Sequence, residues 1–159
     1  MNNYEILKYQ QIKDEFFIRE ALTEAQSAAL LGEVPIGAVI VANQEIIARG
    51  HNLRETLADP TAHAEIVALR AAAVVNGHWR LTGMTLYCTL EPCPMCAGAL
   101  VQARIERLVY GAADPKAGAA GTLMNIVQDF RLNHRLKVTS GVLELECGQI
   151  LKDFFRNRR

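Results

Sequence analysis

The order of apolar and polar positions divides the chain into alternating helical and extended segments. From about Asp14 to Leu31, good helix formers set Phe17, Leu22, Ala25 and Ala29 on an approximate helical stripe, and Gly32 suits the closing cap. Ile36 to Val41 is an unbroken apolar run, the pattern of a buried strand; Asn43-Gln44 turns the chain, and Glu45 to Gly50 returns as the second arm of a hairpin. Asp59-Pro60 has the preferences of an N-cap and first helical residue, which predicts a helix from there to about Val75, before Asn76-Gly77. Thr85 to Thr89 reads as a third strand. Glu91-Pro92-Cys93-Pro94 opens a helix ending near Ala103, and Arg107 to Tyr110 forms a fourth strand. A glycine- and alanine-rich loop from Gly111 to Gly121 precedes a fifth strand near Val138 to Val142 and a last helix from about Leu145 to Asn157. Residues 1–12 read as a flexible N-terminal extension, and 13–159 as a single domain. A hairpin followed by alternating helices and strands predicts an α/β fold, three layers (α/β/α) around a mixed five-stranded sheet. Strand order does not follow from the pattern.

With 159 residues the chain suits one domain. Half of it is hydrophobic and no apolar run approaches the ~18 residues of a membrane-spanning helix, so no membrane partner is expected. Met1-Asn2-Asn3-Tyr4-Glu5 has neither a basic nor an apolar leader region, which makes a cytoplasmic location the expectation. The zero net charge hides a skew: the first 100 residues carry seven basic and eleven acidic side chains, the remaining 59 carry ten and six. The basic part ends in Arg156-Asn157-Arg158-Arg159. Such a skew fits an anionic partner, and it equally fits ordinary scatter on a solvated surface.

His63-Ala64-Glu65 is followed, after a gap of 26 residues, by Pro92-Cys93-Pro94-Met95-Cys96. An imidazole and two thiols make three metal donors, one short of a closed structural zinc site, and catalytic zinc sites keep a position open for water. Both halves lie at predicted helix starts, where the positive end of the helix favours thiolates. His63, Cys93 and Cys96 are thus the candidate metal ligands. Glu65, about 200° around a helix from His63, is left to move protons for the bound water. A Cys-x-x-Cys pair can also be redox-active, and Cys88 or Cys147 as a fourth donor would make the zinc structural.

His-x-Glu with a downstream Pro-Cys-x-x-Cys resembles the signature of the zinc nucleoside and base deaminases. Val34 to Val39, Gly50-His51-Asn52, Asp59 to Glu65, Tyr87 to Cys93, Gly118 to Gly121 and Asp153 to Arg156 look like the bacterial tRNA-specific adenosine deaminases, and the likeness runs from about Glu15 to Arg159. The resemblance implies a cytidine-deaminase-like fold, a homodimer, and one zinc ion per subunit held by His63, Cys93 and Cys96. It implies a zinc-dependent hydrolase that converts adenosine to inosine at the wobble position of a tRNA anticodon stem-loop. Zinc-bound hydroxide would attack adenine C6, with Glu65 as proton shuttle, and ammonia would leave. Asn52 maps to a base-binding position, though it also suits a turn after the second strand. Asp114 and Lys116, and Asn133 with His134, map to RNA-facing segments; a solvated loop is the alternative for His134. Arg156, Arg158 and Arg159 are candidates for the anticodon stem, or a solvated tail.

Overall fold

Helix α1 spans Asn3–Leu30. Its start is fixed by a capping box: Asn2 Oδ1 accepts from the Glu5 N–H at 2.9 Å, and Glu5 Oε2 accepts from the Asn2 N–H at 2.8 Å. Residues 3–12 are therefore the first turns of this helix and not an extension ahead of it. They carry no apolar stripe because most are exposed, so the stripe begins only where the helix meets the sheet, at Asp14, Phe17 and Ile18. The computed structural model describes residues 1–158. Gly32, with φ +79°, takes the left-handed conformation that ends α1.

Strands β1 (Gly37–Ala42) and β2 (Glu45–His51) form the expected hairpin. Asn43 and Gln44 both have positive φ, 50° and 65°, the two-residue turn whose twist matches that of the strands. A short helix α2 (Arg54–Leu57) follows, then α3 (Ala64–Asn76). Helix α3 begins at Ala64 and not at Asp59-Pro60. The Asp59 carboxylate instead closes a turn, accepting from the Thr61 N–H at 2.8 Å and its hydroxyl at 2.7 Å. The remaining elements are β3 (Thr85–Leu90), α4 (Pro94–Gln102), β4 (Arg107–Ala112), β5 (Lys137–Thr139) and α5 (Glu144–Arg156).

The sheet order is β2-β1-β3-β4-β5. Strand β1 is antiparallel to both neighbours, while β3, β4 and β5 run parallel. That mixture brings four chain segments to one edge: the end of β2, the start of β1, and the ends of β3 and β4. Alternation along the strands gives each face its own core. Ala38, Ile40, Leu86, Cys88, Leu108 and Tyr110 face α3 and α4, where Ala68, Ala72, Ala97 and Leu100 meet them. Val39, Val41, Tyr87 and Val109 face Phe17 and Ile18 of α1 and Cys147 of α5. The three-layer α/β/α arrangement with a mixed five-stranded sheet is as the sequence pattern predicts. Among the described residues, no helix is long and apolar enough to cross a membrane.

Candidate active site

The edge where β2, β1, β3 and β4 converge opens into a cavity of about 220 Å³ lined by His63, Glu65, Cys93, Asn52, Glu91 and Asp114, among others. Two helix starts supply its chemistry. His63 is the N-cap of α3 and Cys93 the N-cap of α4, both with extended backbone, and Cys96 lies in the first turn of α4. Each sulfur lies 3.5 Å from His63 Nδ1. Zinc–sulfur and zinc–nitrogen bonds of ordinary length at tetrahedral angles set such donors about 3.5 Å apart, so the donor set fits a single zinc-sized ion. Among the described residues these three donors are the group that converges, all within 4.8 Å of one another. Cys88 belongs to the α3/α4 core and Cys147 to the opposite face of the sheet, so neither joins them.

The three donors share protons among themselves. The Cys93 thiol is held down to about 4, chiefly because Cys96 donates a hydrogen bond to it and His63 adds a second. Cys96 is pushed up, as the donor of that bond and through burial. His63 is raised by its hydrogen bond to Cys93. To hold a divalent cation, His63, Cys93 and Cys96 would give up these shared protons, since thiolate and neutral imidazole are the ligating forms. Glu65 is in the first turn of α3, buried, with 4% of its surface exposed. Burial lifts its carboxyl to about 7 against the lowering pull of Cys96 and His63. A carboxyl balanced near neutrality can both take up and release a proton.

Of the other sequence-predicted residues, Asn52 is buried against the cavity. Its Oδ1 accepts from the Arg54 N–H at 3.2 Å and its Nδ2 reaches Val34 O at 3.4 Å. Asp114 lines the cavity, with Oδ1 accepting from the N–H groups of Lys116 and Ala117 at 2.9 and 3.2 Å; Lys116 itself is exposed. Asn133 and His134 are not brought to the cavity. His134 Nε2 meets the backbone oxygen of Ile105 at 2.7 Å, ahead of β4, whereas Asp114 follows that strand. That contact ties the loop before β5 to the segment leading into β4, and Asn133 beside it is exposed. Arg156 pairs with Asp153; Arg158 stacks over Phe154 at 4.2 Å and donates to the oxygen of Gly32. Arg159, the last of the predicted tail contacts, lies outside the described residues. Sequence reasoning missed Arg54 and Glu91, both cavity-lining. Arg54 carries no motif signal. Glu91 had one, an acid at a strand-to-helix junction directly ahead of the cysteine pair.

The chain matches the MafB19-like deaminase family over residues 12–159, so deaminase is the class that contains this fold and site. It is 58% identical over 147 residues to the tRNA-specific adenosine deaminase of Bacillus subtilis (strain 168), covering 92% of this chain and 91% of that one. The corresponding Haemophilus influenzae protein is 52% identical, over 92% and 85%. A solved structure from a study of A-to-I editing by tRNA:A34 deaminases at the wobble position superposes with a TM-score of 0.83 at 48% identity, over 86% of this chain and 99% of that one. The chain belongs to the tRNA-specific adenosine deaminases.

Proposed function

We propose that this protein hydrolyses adenosine to inosine at the wobble position of a tRNA anticodon, consuming water and releasing ammonia. The observation that carries the reading is Glu65. It is a buried carboxyl with a near-neutral pKa that stays outside the three-donor cluster yet shares its cavity. Zinc, one ion per subunit on His63, Cys93 and Cys96, would supply the chemistry that brings a water's pKa to about 7. Glu65 takes one proton from the attacking water and delivers it to N1 of the purine; it then takes the second, from the new C6 hydroxyl, and passes it to the amine, which leaves as ammonia as the C6 carbonyl forms. Burial of the carboxyl keeps solvent from competing for those protons. Asn52, held by Val34 and Arg54, presents its amide to the flipped base. An anticodon loop offers unpaired bases, so extruding one costs only a few kcal/mol.

Lys116 is exposed beside the cavity wall and suits a phosphate; Arg156 ends α5, and Arg158, in the turn after it, meets Gly32. A homodimer belongs to the proposal. Met95, Leu123 and Met124 are exposed on two segments joined by the bond from the Ala119 N–H to the Pro92 oxygen at 2.9 Å, an apolar area next to the site. A cytoplasmic location follows from a tRNA substrate.

The test is an inosine assay on a panel of anticodon stem-loops with adenosine at the wobble position, run beside free guanine. Inosine formation that depends on the wobble adenosine is the expected result. No product from zinc-loaded protein, or faster consumption of free guanine, would overturn the reading.

A further inference from the structure

Glu91 lies between β3 and α4, two residues ahead of Cys93, and is 2% exposed. A buried carboxylate needs hydrogen-bond donors around it. Glu91 finds them on the loop after β4. Its Oε1 accepts from the Asp114 N–H at 3.1 Å and from the Thr122 hydroxyl, and its Oε2 accepts from the N–H groups of Ala120 and Thr122, each at 3.0 Å. A β-carbon at Gly118 would stand 2.5 Å from the carboxyl carbon and from both oxygens, so the loop closes around this side chain only with glycine there. The loop thus uses one carboxylate from a neighbouring junction as its centre, and has no strand or helix of its own between Ala112 and the bridge at Ala120.

Asp114 and Ala117 of this loop line the cavity, and Lys116 between them is exposed. We propose that Glu91 is a positioning residue for the nucleic-acid substrate: its carboxylate is the template on which loop 114–122 is folded, and so sets the cavity wall that receives the RNA. The inference rests on the tRNA reading above. It gives Glu91 a task separate from that of its chain neighbour Cys93, since the four bonds go to the loop and none to the donor cluster.

Glu91→Gln exposes the distinction. The amide has one acceptor oxygen and one donor nitrogen. Placed with its nitrogen at the Oε1 position, it can donate to the Thr122 hydroxyl but leaves the Asp114 N–H without an acceptor; placed the other way, it strands the N–H groups of Ala120 and Thr122. Thr122→Val removes one bond and keeps the carboxylate, a milder version of the same change. The measurements are amide hydrogen exchange, zinc content, and kcat and KM on a wobble-adenosine stem-loop. In E91Q, exchange at Asp114, Ala120 and Thr122 is expected to quicken and KM to rise by roughly tenfold. Zinc content should stay at the wild-type level and kcat within about twofold, the pattern of lost binding. T122V should move the same quantities less far. Gly118→Ala combined with E91Q should cost less than the two changes added, because both break one clamp. Unchanged exchange at those amides in both variants would overturn the proposal. So would an unchanged KM with kcat falling in step with zinc loss, which would make Glu91 a support for Cys93. If the wild type makes no inosine, the tRNA reading fails on its own, and the exchange data still decide whether the clamp exists.

Discussion

His63 and Glu65 are two positions apart, and on one regular helix their side chains would diverge by about 200°. The structure separates them differently. His63 is not helical; it is the extended N-cap of α3, so its imidazole points toward α4 while Glu65, already in the first turn, is buried beside the cavity. The motif was legible because metal donors are few and their spacing is constrained. The reason for its geometry was not, since it depends on where the helix begins. Glu65→Ala should therefore keep zinc at the wild-type stoichiometry and lower turnover by about 10²-fold or more, as metal analysis and single-turnover kinetics would check. The loop that carries Asn133 and His134 was less legible. A loop's position is set by what it bonds to, and the Ile105 oxygen that meets His134 has no signature in the chain.

Among elements, the helices that carry the site are positioned by close contact with the sheet. A β-carbon on Gly50 of β2 would lie 2.5 Å from the Ala64 oxygen and 2.6 Å from the Ala68 nitrogen of α3. On β1, Gly37 stands in the same relation to α1, with 2.0 Å to the Ala21 oxygen. These glycines let backbone meet backbone on opposite faces of neighbouring strands. Gly50→Ala should push α3 outward, cost about 1–3 kcal/mol in urea melts, and weaken zinc binding because His63 heads that helix. Gly37→Ala should cost at least as much stability while leaving zinc affinity closer to wild type. The strands and most helices were legible from their periodicity. Two helix starts were misread for local reasons. Asp59-Pro60 has the residues of a helix start, but Thr61 captures the carboxylate first. At α1, the Asn2/Glu5 box was readable as a start signal, yet the exposed turns after it supply no apolar stripe.

At the scale of the whole molecule, strand order was the largest thing hidden from the sequence, because periodicity identifies a strand without naming its neighbours. Long-range polar contacts help fix it. Asp14 of α1 is buried and receives Arg107 of β4 through two bonds of 2.8 and 2.7 Å, and the Tyr87 hydroxyl of β3 at 2.9 Å. Burial raises the Asp14 pKa, but Arg107, Gln10 and Tyr87 together bring it below its ordinary 3.8. The folded value is the lower one, so the stabilisation is present above pH 3.8 and is lost as pH falls through the folded value. Asp14→Asn should flatten the acid limb of a stability–pH curve. It should also cost about 3–5 kcal/mol at neutral pH by leaving Arg107 unpaired, as denaturant titrations across pH would measure. The two N-cap positions at the site have a different bearing on the molecule's robustness. His63 and Cys93 occupy places where serine or asparagine would secure the helix ends, and neither makes a side-chain cap bond. Durability has been traded for reactivity there. His63→Asn should give a metal-free protein that melts at a higher temperature than metal-free wild type, by about 0.5–2 kcal/mol of added stability in calorimetry, and that is catalytically dead. Selection for heat tolerance alone would drive this chain toward a sturdier scaffold with no chemistry left in it.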